Sequence, residues 1–275
     1  MNVATAAVGV LGIGFDANSS FKRGPAEAPP KIRSALSSES ANAYSETGYK
    51  VWPSDQVVDH GDLDIPDETG TRAPIDVIEQ GVANALATTD RLVLLGGDHA
   101  VTYPIIRAVA AVHGPISLLH VDAHPDLYPD FQGNPWSHAS PMARIAEEGL
   151  VDRLVQVGIR SYGPDQAAMV EQYDVEVHPP WSHGPGPELR FDSPLYISVD
   201  VDGLDPAYAP GVSHPEPGGL SVRQVLDVIA NCAAPRVIGA DVVEVNPTVD
   251  PTGITSVVAA KLVRELLGRL LSESG

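Results

Sequence analysis

Short apolar runs alternate with amphipathic stretches along most of this chain. The opening run Val3–Gly14 predicts a buried first strand, and Leu92–Leu95, Ile116–Val121, Leu154–Ile159, Leu195–Val199 and Val237–Val242 predict five more. Weaker strands are expected at Val57–His60 and Val175–Val177. Helices are predicted in between. One covers Lys31–Leu36 behind Pro29 and Pro30, and one covers Pro74–Ala87 with Ile75, Ile78, Val82 and Leu86 as its apolar stripe. Others cover Tyr103–Val112, Met142–Glu148 and Asp165–Gln172. Ser221 and Gln224 make a capping box for a helix to about Ala230, and the last helix runs from about Ser256 to Leu271. Strand, helix, strand in repetition predicts right-handed βαβ units and a parallel sheet, hence an α/β fold. No repeat, linker or composition break divides residues 1–275, which are expected to form a single domain.

Composition narrows the function more than the fold. At 43% hydrophobic and 19% charged residues the chain has the make-up of a soluble globular protein. Its formal charge of −19 argues against nucleic acid and anionic membrane as partners, because both need a basic footprint. The lone cysteine, Cys232, rules out an internal disulfide framework and fits a reducing, cytoplasmic setting. The apolar opening run lacks a basic start and is followed by no Ala-x-Ala-like site, so it reads as a strand rather than a leader.

The chemistry gathers where the apolar strands end. Asp122-Ala123-His124-Pro125-Asp126 follows Ile116–Val121, and in an extended chain Asp122, His124 and Asp126 would face one way. Asp200-Val201-Asp202 repeats the design after a second apolar strand, and Gly96-Gly97-Asp98-His99 closes a third. C-terminal strand ends are where open parallel sheets bind ligands. Four carboxylates in one pocket would repel and drive protonation, whereas two divalent cations would cancel their charge, with His99 and His124 as neutral ligands. The pattern therefore predicts a binuclear metal site. Each element alone has a plainer reading, since polar residues often lead a strand into solvent. His60 reads as a satisfied loop residue, and His178 and His183 carry no functional reading.

These elements, with Asp205-Pro206, Ala209-Pro210-Gly211, Gly218-Gly219-Leu220 and Asp241-Val242-Val243-Glu244-Val245-Asn246-Pro247, resemble the arginase/agmatinase (ureohydrolase) family over nearly the whole chain and in the family's order. The resemblance implies a three-layer α/β/α sandwich with a mainly parallel central sheet, assembled as a homo-oligomer, a trimer or hexamer. It implies two Mn²⁺ ions per subunit, one on His99, Asp122, Asp126 and Asp200 and the other on His124, Asp122, Asp200 and Asp202. An oxygen-rich set with imidazole and no thiolate suits manganese. It further implies that a hydroxide bridging the metals attacks the planar carbon of a linear guanidino compound, releasing urea and an amine. Asp126 takes the remaining proton, Glu244 pairs with the guanidinium and His138 protonates the departing amine. His214 falls where many relatives have Thr and is expected in the substrate pocket.

Two departures bear on the substrate. Arginases hold the amino-acid carboxylate with an Asn where this chain has Tyr128, and contact the α-amino group with an Asp where it has Gly163. The small cationic substrate is therefore expected to be agmatine-like, with arginine, guanidino acids and formimidoylglutamate as alternatives within the family. A two-metal phosphoesterase is disfavoured because the site segments are poor in Lys and Arg. A metal-binding but inactive regulatory homologue would be expected to lose ligands or proton-handling residues, and none is missing here.

Overall fold

A computed structural model describes residues 8–181 and 186–273. His183 lies outside the described residues. Among the described residues eight strands run in chain order: β1 (Val8–Gly12), β2 (Val57–Asp62), β3 (Leu92–Leu95), β4 (Ile116–Val121), β5 (Val151–Val157), β6 (Glu176–His178), β7 (Leu195–Asp200) and β8 (Val237–Val243). They form one sheet in the order β2-β1-β3-β8-β7-β4-β5-β6, and every pairing is parallel. Parallel strands need covering on both faces, which is why β3, β4, β7 and β8 are apolar almost throughout and buried at every position.

Among the described residues seven α-helices supply that cover: α1 (Ala28–Leu36), α2 (Ala73–Leu86), α3 (Thr102–His113), α4 (Pro141–Glu147), α5 (Pro164–Gln172), α6 (Val222–Asn231) and α7 (Ile254–Ser272). One core packs Ile32 of α1, Val225 and Ile229 of α6 and Leu262, Val263 and Leu266 of α7 against the sheet. The other packs Ile78 and Val82 of α2, Ile105 and Ile106 of α3 and Met142 and Ile145 of α4 against its opposite face, with Met169 of α5 at the margin. The result is the three-layer α/β/α sandwich. Helix α1 starts earlier than the sequence predicts, with Pro29 and Pro30 inside its first turn, where no backbone donor is needed. At α6 the capping box forms as predicted: the Ser221 hydroxyl accepts from the Gln224 backbone and the Gln224 amide oxygen accepts from the Ser221 backbone.

Strands β3 and β4 are consecutive in the sequence yet separated in the sheet by β8 and β7. The chain must leave this central quartet in different directions, which opens a crevice at its C-terminal edge. His99, Asp122, Asp200 and Glu244 all lie at or just beyond the ends of these four strands.

Candidate metal centre and active site

The segments that carry the site are not extended. Strand β4 stops at Val121 and β7 at Asp200, and a 3₁₀ turn, Val201–Gly203, follows the latter. The alternating-face reading of Asp122, His124 and Asp126, and of Asp200 and Asp202, is thus corrected. The physical reason is local hydrogen bonding, which aspartate offers readily beyond a strand end. Asp122 Oδ1 accepts from the His124 backbone N–H at 2.6 Å, and Asp200 Oδ1 accepts from the Asp202 N–H at 2.8 Å. Asp126 then turns inward through a left-handed backbone, φ 53°, and Glu244 does the same at φ 63°. Such conformations cost about 1–3 kcal/mol for non-glycine residues and persist where the surroundings hold them.

On the β3 side the requirement falls on glycine. A Cβ at Gly97 would lie 1.8 Å from the Phe15 carbonyl oxygen, which accepts from Asp98 N–H at 2.8 Å. This close passage brings the loop after β1 under His99. Asp98 caps the following turn by accepting from the Ala100 N–H at 3.1 Å.

All six residues expected as metal ligands meet in one place. His99 Nδ1 lies 2.9 Å from Asp126 Oδ2, 3.1 Å from Asp200 Oδ2 and 3.2 Å from Asp122 Oδ2. His124 Nδ1 lies 3.2 Å from Asp202 Oδ2 and 3.4 Å from Asp122 Oδ1. Asp122 therefore offers one oxygen to each half of the cluster. Asp200 directs Oδ2 to the His99 half and spends Oδ1 on the Asp202 backbone.

The electrostatics ask for cations. Burial, and then repulsion from neighbouring carboxylates, pushes Asp200 well above the usual carboxylate range and Asp202 up to about 7. His99 Nδ1 is buried amid three carboxylates yet makes no oriented hydrogen bond to any of them. An orphaned imidazole nitrogen facing converging carboxylate oxygens fits a site for divalent ions, with oxygen-rich donors and no sulfur.

Beside this cluster lies a second constellation. His138 Nδ1 is 3.1 Å from Glu244 Oε1, and its Nε2 is 2.8 Å from the Ser20 hydroxyl. Burial disfavours the charged His138 ring, but the Glu244 hydrogen bond and charge outweigh it and push the imidazole up to about 9. Burial likewise opposes ionisation of Glu244, and the His138 contact overcomes it and holds the carboxyl below its usual range. Glu244 Oε1 also accepts from the His99 backbone N–H at 3.0 Å, tying this pair to the carboxylate–imidazole cluster. The ring of His214 lies against His138, centroids 4.9 Å apart, and burial pulls its imidazole toward the neutral form.

A cavity of about 390 Å³ opens onto both constellations. His124, Asp126, His138, His214 and Glu244 are among the residues that line it, as are Tyr128, Phe131, Tyr162 and Gly163. Among the described residues that line it there is no Lys or Arg. His60 and His178 lie away from it, the first 3.5 Å from the Thr89 hydroxyl and the second 2.6 Å from Glu176.

Sequence reasoning missed His120, whose Nε2 is 2.7 Å from Asp122 Oδ2. It also passed over Ser198, 3.1 Å from His99 Nε2, and Asp241, which accepts from that serine at 2.7 Å. Their signal was available: each is a polar residue inside an otherwise apolar strand, a placement that needs a partner.

A parallel sheet whose central strand ends deliver this carboxylate–imidazole cluster carries the donor set of a divalent-metal site. Comparison with known proteins then supplies the family. The arginase family profile matches residues 6–268. The mitochondrial arginase 1 of Arabidopsis thaliana is 43% identical over 281 residues, 97% of this chain and 82% of that protein. The mitochondrial agmatinase of Gallus gallus is 37% identical over 275 residues, 94% and 79% of the two chains. Among solved structures, an arginase from Medicago truncatula superposes with a TM-score of 0.84 at 38% identity, covering 97% of this chain and 88% of its own. The proclavaminate amidino hydrolase of Streptomyces clavuligerus gives 0.85 at 32%, covering 96% and 92%. The chain belongs to the arginase family, a family of binuclear metal enzymes, and is a hydrolase of carbon–nitrogen bonds in guanidino compounds.

Proposed function

We propose that the chain, as one domain, hydrolyses a linear, agmatine-like guanidino compound to urea and an amine with two Mn²⁺ ions per subunit. The carrying observation is the convergence of His99, Asp126 and Asp200 with Asp122, and of His124 and Asp202 with the same Asp122. His99, Asp122, Asp126 and Asp200 would hold one ion, and His124, Asp122, Asp200 and Asp202 the other. When bound, the ions supply a nucleophile at neutral pH by acidifying water, together with positive charge beside the reacting carbon.

The side chains do the rest. Glu244, held ionised beside His138, pairs with the guanidinium and presents its planar carbon. Asp126 accepts the proton left on the attacking oxygen. His138, protonated at neutral pH, gives its proton to the amine nitrogen as the carbon–nitrogen bond breaks. Water adds its oxygen to the carbon to make urea and its protons end on the leaving amine, so the reaction balances. His214, stacked on His138, shapes the pocket at this point.

Tyr128 and Gly163, the two departures from the arginase pattern, both line the cavity beside the two constellations. That supports agmatine over arginine. A second reading, L-arginine, is favoured by the identities: plant arginases reach 40–43%, against 34–37% for the agmatinases from Gallus gallus and Chromobacterium violaceum. Urea release from agmatine, arginine, a guanidino acid and formimidoylglutamate, with manganese supplied, decides between them. A kcat/KM for arginine above that for agmatine would overturn the first reading, and no release from any of them would overturn both.

The same reading extends to a trimer or hexamer in the cytoplasm. Among the described residues no helix is long and apolar enough to cross a membrane.

A further inference from the structure

Behind the bridging Asp122 runs a buried chain of polar groups that the reaction as described does not use. His120 is fully buried in the middle of the sheet, and its Nε2 lies 2.7 Å from Asp122 Oδ2. A carboxylate oxygen only accepts, so this ring nitrogen carries a proton and donates it. On the other side of the ring, Nδ1 lies 2.9 Å from Nε2 of Gln156, a fully buried residue of the neighbouring strand β5.

The identity of that Gln156 atom is fixed independently. The same nitrogen lies 2.7 Å from the Pro125 carbonyl oxygen, which also only accepts. Turning the amide over would press two oxygens together there, so the NH₂ group faces Pro125 and His120 at once. Its two hydrogens suffice for both. Among the described residues its oxygen is left buried with no partner, an unfavourable arrangement that an amide accepts only where its orientation is otherwise imposed.

We infer that Gln156 is a positioning residue for the metal centre: it locks His120 as the Nε2–H tautomer and thereby fixes the lone pair of Asp122 Oδ2 that remains for a cation. The amide leaves His120 Nδ1 as a pure acceptor, so the imidazole donates in one direction only. That donation occupies one side of Asp122 Oδ2, while Oδ1 is fixed from the other end by the His124 N–H at 2.6 Å. Both oxygens of the shared carboxylate are thus aimed before any ion arrives. Gln156 also holds the Pro125 carbonyl, one residue before Asp126, whose left-handed backbone turns that ligand inward. One side chain on β5 therefore sets two ligands on the β4 loop. Outer partners of this kind typically govern 10–100-fold in metal affinity.

The inference rests on the proposed two-ion site, and its test keeps the two apart. In metal-free protein labelled with ¹⁵N-histidine, long-range ¹H–¹⁵N correlation reads the tautomer directly, the signals being assigned with His120→Asn. The expected His120 pattern is a protonated Nε2 and a bare Nδ1, and an Nδ1–H tautomer or a doubly protonated ring would overturn the inference. Manganese binding to wild type, Gln156→Met, His120→Asn and the double variant is then followed by calorimetry. Gln156→Met is expected to weaken binding 10–100-fold, and to add clearly less once His120→Asn is present, where only its hold on the Pro125 carbonyl remains to be lost. Full additivity, or unchanged affinity in a folded Gln156→Met protein, would also overturn it. Wild type that binds no second ion would instead sink the proposed two-ion site, whatever tautomer His120 shows.

Discussion

Replacing Asp122 by Asn removes one charge and almost no volume, so its consequences can be worked from the contacts. Asp122 uses both oxygens: Oδ1 accepts from the His124 N–H at 2.6 Å and Oδ2 from His120 at 2.7 Å. An amide has one oxygen, so its NH₂ must face a donor on one side, leaving buried groups unpaired at about 1–3 kcal/mol. In a chain of this length, that lowers the unfolding midpoint by several degrees. The larger loss is electrostatic. A unit charge pair at 4 Å in an effective dielectric near 20 is worth about 4 kcal/mol, or about three decades in affinity, and Asp122 faces both halves of the cluster. The Asp122→Asn protein is therefore expected to fold, to bind manganese about 10³-fold more weakly, and to release urea at under about a thousandth of the wild-type rate at micromolar manganese. Calorimetry, metal content after gel filtration and a urea assay measure the three quantities. A variant that keeps two ions at near wild-type affinity and more than a tenth of the turnover would refute the shared-ligand assignment.

Other consequences follow from the same geometry. His138, pushed up to about 9 by Glu244 against the effect of burial, is protonated below that pH; kcat/KM should fall as pH rises through about 9, and His138→Asn should lower the rate and abolish this limb. In the metal-free protein Asp202, pushed up to about 7 by burial and its neighbours, makes a contribution to stability that is present below the ordinary carboxylate range and lost as pH rises through 7. His99 and His124 are raised too, so they act in the same direction at higher pH. The metal-free unfolding midpoint should thus fall between pH 5 and pH 8, and manganese should raise it more at pH 8; a midpoint rising with pH would contradict this. Burial lifts the Cys232 thiol to about 11, so an aromatic disulfide reagent should titrate it only after denaturation. A Cβ at Gly163 would meet nothing within 4 Å, and the backbone there is ordinary at φ −98°, so Gly163→Asp combined with Tyr128→Asn should fold and raise the arginine-to-agmatine ratio of kcat/KM at least about tenfold.

The chain's periodicity made most of the fold legible, because buried parallel strands need continuous apolar runs and the covering helices need a stripe. Strand β3 and strand β4 lie where the runs at Leu92 and Ile116 place them, and α6 starts at its capping box. Helix α1 begins before its two prolines, which look like a boundary in the sequence although in a first turn they cost nothing. The six carboxylates and imidazoles were legible as strand-end residues, but the route by which they converge was not. Alternation assumes an extended chain, whereas Asp122 and Asp200 fold the backbone onto their own side chains and Asp126 adopts a left-handed turn. The layer beneath this cluster was harder still. His120, Ser198, Gln156 and Asp241 come from four different strands, and only the order β8-β7-β4-β5 puts them next to one another. Nothing local in the sequence gives that order.

The most direct measurement is a titration of metal-free protein with Mn²⁺, in which bound metal per subunit and urea release from agmatine are followed on the same samples. The account predicts saturation at two ions per subunit, with turnover appearing as the second ion binds. Saturation at one ion with full turnover, or urea release without metal, would contradict it.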